Sequence, residues 1–231
     1  MKHPFVISCA VTIAFCTFST HATTYPDATG ETIFGGMLDI SSVEVNNTAT
    51  ALTFKINLMG DPVATDWGKY MIGINSAPGG DTAGNGWARP LLMSSGMDYW
   101  VGSWVDSGNG AEIRNWTGSW NLQSATYNPN PDALSISKDS SSVTISFNFA
   151  GLGLSAGSSF SFDIYTSGGG GSDSAIDAAA NPAQSVANWP DVYDSGQNVR
   201  TYTIAQVPEP TTAGLFTLGG MLLLIRRAVR R

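Results

Sequence analysis

Hydrophobic and polar residues alternate along several short stretches of the chain. Between residues 50 and 58, every second position from Leu52 to Leu58 is apolar, and polar side chains lie between them. The same period of two recurs in residues 142–149 and 160–164. Such alternation indicates antiparallel β-strands that have one face in a core and the other in solvent.

The remaining patterns also favour strands. Residues 46–47 and 138–141 carry the Asn, Asp and Ser residues typical of turns. Only residues 174–180 predict one or two helical turns. Further strands are predicted at residues 38–45, 70–74, 134–137 and 199–204. Seven or more short strands predict an all-β fold, an antiparallel β-sandwich with jelly-roll or immunoglobulin-like topology.

The N-terminus has the organisation of a secretory signal peptide. Met1-Lys2-His3 is basic, residues 5–18 are mostly apolar, and Thr20-His21-Ala22 ends in a small residue. The apolar stretch is too short for a transmembrane anchor, which is the alternative. We therefore expect signal peptidase to remove residues 1–22 and to leave a domain over residues 23–206.

The C-terminus combines three features within residues 207–231. Pro208, Glu209 and Pro210 precede an apolar segment, 213–225, and the chain ends in four arginines among its last six residues. Prolines fit neither a sheet ladder nor a helix interior, so they also mark the end of the domain. As a helix, the 13 residues of the apolar segment would span about 20 Å, less than the bilayer core of about 30 Å.

This tail resembles the PEP-CTERM sorting signal. The resemblance implies recognition by an exosortase, a membrane protease-transpeptidase of Gram-negative bacteria that make exopolysaccharide. We expect a short hydrophobic helix at 213–225 to contact the inner membrane transiently, with the arginines on the cytoplasmic side. The chain would then reach the outer surface or the extracellular matrix. The alternative is a simple C-terminal anchor.

Composition narrows the chemistry of the domain. Both histidines and both cysteines lie at or before residue 21, so residues 23–206 cannot form a Ser-His-Asp or Cys-His site, a His- or Cys-ligated metal centre, or a disulfide. The same residues carry six basic and 17 acidic side chains, a net charge of −11. This charge disfavours nucleic acid and is compatible with calcium or with plain solubility.

Five of the seven tryptophans lie between residues 87 and 120. Residues 99–105 and 111–117 predict a hairpin whose turn contains Ser107-Gly108-Asn109-Gly110. A turn centred on Gly108 pairs Trp100 with Trp116 and Trp104 with Glu112. One face then carries Trp100, Gly102, Trp104, Glu112, Arg114 and Trp116, and the other is a core face with Tyr99, Val101, Val105, Ala111 and Ile113.

The tryptophan face offers the groups of a carbohydrate site. Indoles stack on the apolar faces of pyranose rings, and carboxylates or guanidinium groups bind hydroxyls. The candidate glycan-binding residues are Trp100, Trp104, Glu112, Arg114 and Trp116. Alternatively, these tryptophans fill the interior or lie beneath the Gly-rich loop 78–86. A one-residue shift in pairing would place the tryptophans beside Ala111 and Ile113, in the core.

The strand pattern also resembles a group of carbohydrate-binding β-sandwiches. The likeness rests on Gly36-Met37-Leu38-Asp39-Ile40, on residues 52–56 and 70–74, and on Pro78-Gly79-Gly80-Asp81. These stretches are similar to family-nine carbohydrate-binding domains and to the related DOMON and glucodextranase C-terminal domains. The resemblance implies a jelly-roll-like sandwich, often with structural calcium, and binding of sugar in some members and haem in others.

Several acidic groups are candidate calcium ligands. Asp106, Asn109 and Glu112 supply three oxygen-bearing side chains within seven residues. None of the groups has the spacing of an EF-hand, and the alternative is that they are ordinary turn residues. The other groups are Asp173 with Asp177 and Asp191 with Asp194.

These observations favour a non-enzymatic surface or matrix protein that binds carbohydrate or exopolysaccharide. One alternative is a glycan-active enzyme that uses paired carboxylates, with Asp98 and Glu112 as the first candidates. Another is a purely structural matrix protein without a small ligand.

Overall fold

Strands account for nearly all regular structure in the computed structural model, which describes residues 22–93, 96–181 and 186–207. The sorting motif Pro208-Glu209-Pro210, the apolar segment 213–225 and residues 1–21 of the predicted signal peptide lie outside these ranges. Within them, no helix is long and apolar enough to cross a membrane.

The strands are β1 (Thr23–Pro26), β2 (Ile40–Asn47), β3 (Ala51–Leu58), β4 (Lys69–Asn75), β5 (Leu91–Leu92), β6 (Tyr99–Trp104), β7 (Gly110–Trp116), β8 (Trp120–Ala125), β9 (Ser135–Lys138), β10 (Ser142–Asn148), β11 (Ser159–Ser167), β12 (Ala175–Ala178), β13 (Tyr193–Asp194) and β14 (Arg200–Thr203). Short 3-10 helices cover Gly36–Leu38 and Phe149–Leu152.

The first sheet has five antiparallel strands in the order β1-β2-β3-β10-β9. Its strands follow the alternation in the sequence, because only one face is buried. In β3, Leu52, Phe54, Ile56 and Leu58 are buried and the residues between them are half-exposed. Phe54 lies opposite Val45 of β2 and Ile145 of β10.

The second sheet has seven strands, of which six follow the order β12-β11-β4-β6-β7-β8. Its pairs are antiparallel, and β14 joins the same edge of β11 as β12. β14 pairs with the start of β11, where Ser159 lies opposite Thr203. At the other end of the sheet, Ser167, Lys69, Trp104 and Gly110 lie side by side on four neighbouring strands.

The main core lies where the inner faces of the two sheets meet. The Phe54 ring of the first sheet contacts Phe162 and Phe160 of the second, with ring centroids 5.3 and 6.4 Å apart. Val101, Val105, Ala111 and Ile113 of the β6–β7 hairpin belong to this core. These are residues of the predicted core face, so the sequence assigned the two faces of the hairpin correctly.

A second apolar layer covers the outer face of the seven-stranded sheet. Met71, Trp100 and Tyr165 point outward from β4, β6 and β11 and are fully buried beneath loops. β5 and β13 pair in parallel within this covering layer. Because both faces of the sheet are covered, all five central residues of β4 are buried. This explains why β4 lacks the alternation of β3.

The Asn47 side chain fastens the end of the described chain to the first sheet. Asn47 is buried at the end of β2. Its Nδ2 donates to the Ala205 carbonyl at 2.9 Å, and its Oδ1 accepts from the Ala205 amide at 2.9 Å and the Tyr202 hydroxyl at 2.8 Å. The segment after β14 is therefore tied to both sheets.

The prediction of an all-β, antiparallel fold is confirmed, and the helical turns expected at residues 174–180 are wrong. The segment Ser-Ala-Ile-Asp-Ala-Ala-Ala has good helix formers. It instead contains β12, because the free edge of β11 offers hydrogen bonds to its backbone. Tertiary pairing overrides the local preference here.

Candidate functional site

The β6–β7 hairpin has the predicted faces but a different pairing. Trp100 lies opposite Arg114, Gly102 opposite Glu112, and Trp104 opposite Gly110. The predicted pairs Trp100–Trp116 and Trp104–Glu112 are therefore wrong by two residues. A shift of two keeps every side chain on its face. The alternative of a one-residue shift is also wrong.

The pairing is explained by the turn and by two glycines. Ser107, Gly108 and Asn109 all have positive φ, and the turn between Trp104 and Gly110 centres on Ser107 instead of Gly108. A Cβ on Gly110 would overlap the Trp104 indole, and one on Gly102 would overlap the Trp87 indole. The two rings therefore lie flat across glycine backbone on the outer face of the hairpin.

A cleft of about 360 Å³ opens beside these two rings. It lies at the end of the sheet where Lys69 and Trp104 are paired. Trp87 and Trp104 are half-buried there, so part of each indole remains accessible. The residues that line it are Lys69, Trp87, Arg89, Trp104, Glu112 and Gly171.

Glu112 is the carboxylate of the cleft. Its Oε1 accepts from Trp87 Nε1 at 2.5 Å and from Arg114 Nε at 2.6 Å, and its Oε2 accepts from the Tyr127 hydroxyl at 3.0 Å. Burial acts to raise the pKa of Glu112, but these hydrogen bonds and the Arg114 charge outweigh it and lower the pKa. Glu112 is thus a fixed anion that can accept a further bond through Oε2.

The two cations of the cleft are fixed by the fold. Arg89 Nη1 donates to Ser167 Oγ and to the carbonyls of Gly170 and Asp173 at 2.8–2.9 Å. Its guanidinium carbon lies 5.4 Å from the centre of the Trp87 ring. Lys69 Nζ contacts the Trp67 carbonyl at 3.1 Å and Asp106 Oδ2 at 3.2 Å. The cleft therefore has a preformed set of charges at its rim.

Trp100 does not belong to the cleft. It is fully buried in the outer apolar layer, beneath Gly86 and against Tyr165 and Trp87. Its candidate role in glycan binding is therefore corrected to a packing role. The alternative that placed a tryptophan beneath loop 78–86 holds for this residue.

Trp116 and Arg114 also lie away from the open part of the cleft. Trp116 packs against Trp120 with centroids 5.5 Å apart, and Trp120 Nε1 donates to Asp81 Oδ2 at 2.7 Å. Six residues of β7 separate Trp116 from Gly110, which is about 20 Å along a strand. Arg114 acts on the cleft through its bond to Glu112. Of the five candidates, Trp104 and Glu112 line the cleft.

Asp98 and Glu112 do not form the paired carboxylates of a glycosidase. Asp98 lies opposite Trp116, whose amide donates to its carbonyl, whereas Glu112 lies opposite Gly102. Four residues of ladder place their Cα atoms about 13 Å apart, whereas glycosidase mechanisms use carboxyl groups roughly 5–9.5 Å apart. Asp98 Oδ2 instead accepts from the amides of Ser76 and Ala77.

The calcium candidates are mostly turn residues. Asp106 pairs with Lys69, Asn109 lies in the hairpin turn, and Glu112 is held by three donors, so this predicted site does not form. Asp173, Asp191 and Asp194 each accept from a nearby backbone amide in a loop. Asp177 differs, because it lies close to Asp27 and Glu31, far from it in sequence.

The sequence analysis did not identify four of the residues that line the cleft, which are Lys69, Trp87, Arg89 and Gly171. Trp87, Arg89 and Lys69 come from the loop before β5 and from the start of β4. Trp87 was noted only as part of the tryptophan-rich segment. Gly102 in β6 was the available signal for Trp87, because a glycine inside a strand often marks a close approach by another group.

The fold and the cleft define an all-β protein with two antiparallel sheets and a tryptophan-lined depression on the outer layer of one of them. No protein-family model and no curated protein matches the sequence.

Proposed function

We propose that this chain is an exported, non-enzymatic protein of the bacterial surface or extracellular matrix that binds carbohydrate in the Trp87–Trp104 cleft. Its fold would be a β-sandwich of jelly-roll or immunoglobulin-like topology. Export would use signal peptidase at the N-terminus and an exosortase at the PEP-CTERM-like tail. The ligand would be a polysaccharide such as the exopolysaccharide of the producing cell.

The observation that carries the proposal is the arrangement of half-buried indoles and charged groups around one opening. Trp87 and Trp104 each offer an apolar surface to a sugar ring. Lys69 and Glu112 lie beside them and can bind hydroxyls or a uronic carboxylate. A volume of about 360 Å³ is at the low end for ligand pockets, which suits a short segment of a glycan chain.

A structural matrix protein without a small ligand is the second candidate. It is favoured by the intramolecular bonds that already engage Arg89, Lys69 and Glu112. A charged group that is satisfied within the fold has less to offer to a ligand. The two candidates make opposite predictions for a substitution of Trp104.

Trp104→Ala is expected to weaken the binding of polysaccharide to the full chain by about 30-fold, or about 2 kcal/mol. The substitution removes a stacking surface from the cleft and leaves the bonds from Trp87 and Arg114 to Glu112 in place. The measurement is affinity gel electrophoresis on a panel of bacterial and plant polysaccharides, with circular dichroism to check the fold.

Trp116→Ala is the matched control. It removes an indole from the same face of the β6–β7 hairpin as Trp104, but outside the cleft. It should be retarded like the wild type. If no polysaccharide retards the folded wild-type chain, or if Trp104→Ala and wild type migrate alike, the structural candidate replaces carbohydrate binding.

Replacing both Pro208 and Pro210 by Ala is expected to leave the tail uncleaved in a host that contains an exosortase. The longer form should accumulate in the inner-membrane fraction, where an immunoblot separates it from the processed form. Thr211→Ala, next to the motif, should be processed normally. Cleavage of the double variant would show that Pro208 and Pro210 do not direct processing, and absence of cleavage in the wild type would argue for a simple C-terminal anchor.

A further inference from the structure

Three carboxylates from distant parts of the sequence meet at one edge of the fold. Asp27 follows β1, Glu31 lies in the loop before β2, and Asp177 lies in β12. One oxygen of each lies within 4.8 Å of the other two. The group therefore joins the N-terminal loop to the edge of the seven-stranded sheet.

A fourth carboxylate, Asp39, is bonded to the same N-terminal loop and is itself incompletely satisfied. Asp39 is only 5% exposed, and its Oδ2 accepts from the amide of Gly30, the neighbour of Glu31. Its Oδ1 is inaccessible and has no hydrogen-bond donor among the described residues. Burial raises the pKa of Glu31, and the negative charge of Asp39 raises it further.

Three oxygens of Asp27 and Glu31 show the same deficit, whereas both Asp177 oxygens accept from backbone amides. Asp27 Oδ2 and both Glu31 oxygens are inaccessible and lack a donor within the described part of the chain. Buried polar atoms in proteins are nearly always hydrogen-bonded, and buried charges are paired or bind a metal. Three unsatisfied carboxylate oxygens within one group therefore indicate a missing positive charge.

The protein supplies little positive charge of its own here. Arg200 is the one basic group that lowers the pKa of Asp27, which burial raises to about 7. Its guanidinium donates to the carbonyls of Ala179 and Pro26. Within residues 22–93, 96–181 and 186–207, no Lys or Arg forms an ion pair with Asp27, Glu31, Asp39 or Asp177.

We propose that Asp27, Glu31 and Asp177, with Asp39 beside them, bind a calcium ion. Calcium takes six to eight oxygen ligands at about 2.3–2.6 Å, so opposite ligands are about 5 Å apart. Oxygens that all lie within 4.8 Å of one another fit around such an ion. Magnesium binds fewer carboxylates and keeps more of its water, and the all-oxygen set disfavours softer metals.

The ion would attach the N-terminal loop to β12. Asp177 Oδ2 already accepts from the Ile40 amide at 2.6 Å, where that loop enters β2. The same loop carries Phe34, Met37 and Leu38 into the outer apolar layer. Calcium would therefore stabilise the layer that surrounds the cleft. This inference does not depend on the ligand of the cleft.

The test is calorimetric titration of the EDTA-treated full chain with CaCl2, together with thermal unfolding in CaCl2 and in EDTA. The wild type should bind one calcium ion per chain and unfold at a higher temperature in CaCl2. Glu31→Gln should bind calcium about 10- to 100-fold more weakly, the usual loss when a group supporting a metal is removed. In EDTA, Glu31→Gln should unfold at a higher temperature than the wild type, because one of several like charges is gone.

Asp106→Asn is the control, since it removes a carboxylate at the calcium site predicted from the sequence. It should bind calcium like the wild type. Three results would overturn the inference: no heat and no thermal shift with CaCl2, equal calcium binding by wild type and Glu31→Gln, or loss of binding in Asp106→Asn alone. If CaCl2 produces neither heat nor a thermal shift, Glu31 and Asp177 are held together by a shared proton and not by a metal ion. Asp27→Asn repeats the test if Glu31→Gln does not fold.

Discussion

Phe54→Ala is expected to lower the free energy of unfolding by about 3–5 kcal/mol. Phe54 is fully buried at the centre of the core between the sheets. It contacts the rings of Phe147, Phe160 and Phe162. Truncation removes these contacts and leaves a cavity that three rigid rings on two sheets cannot fill. This loss is a large share of the roughly 5–15 kcal/mol by which domains are stable.

Urea unfolding followed by circular dichroism measures this loss. Val63→Ala is the control, because Val63 is 53% exposed and its truncation leaves no buried cavity. Its free energy of unfolding should stay within about 0.5 kcal/mol of the wild type. A change below about 1 kcal/mol for Phe54→Ala would mean that the two sheets do not share a well-packed core.

Gly102→Ala is expected to disrupt the cleft and to lower the free energy of unfolding by about 1–3 kcal/mol. The added methyl would overlap the Trp87 indole, which lies across Gly102. The indole must move, and its 2.5 Å bond to Glu112 would break. We expect Trp87 to become more accessible, which acrylamide quenching of tryptophan fluorescence measures. Polysaccharide binding should be lost with it.

Gly171→Ala is the matched control for this change. Gly171 lines the same cleft, but a Cβ there would enter open space. Its unfolding and quenching should match those of the wild type. Equal quenching in the Gly102→Ala variant would show that Trp87 does not need to lie on the glycine.

The faces of the hairpin were predictable from the sequence, whereas its pairing was not. One face carries Trp100, Trp104 and Glu112, because even numbers of residues separate them. Any even shift in the pairing of the two strands keeps them on that face. The exact pairing depends on the backbone of Ser107, Gly108 and Asn109, all with positive φ. Few L-residues favour positive φ, so the sequence did not predict a turn with three consecutive residues in that conformation.

The sequence pattern left the burial of Trp100 open, because it allowed both a glycan-binding face and a place beneath loop 78–86. An alternating strand implies one wet face, but loops cover the outer face of β6. Those loops also bring Trp87 and Arg89 to the cleft. The carboxylate group was hidden in the same way, because Asp27 and Asp177 are 150 residues apart. Motifs detect ligands that are close in sequence, and this group is close only in space.

The exit of the chain from the folded unit lies at the opposite end of the seven-stranded sheet from the cleft. Ile204 donates to the Ser158 carbonyl just before β11, and Asn47 holds Ala205. Ser167, nine residues further along, lies opposite Lys69 at the cleft end. Nine residues of strand span about 30 Å. The full length of β11 therefore separates the cleft from the last residues of the folded unit. A pull applied between the cleft and Ala205 would pass along β11 and reach the hydrogen bonds of the Asn47 side chain.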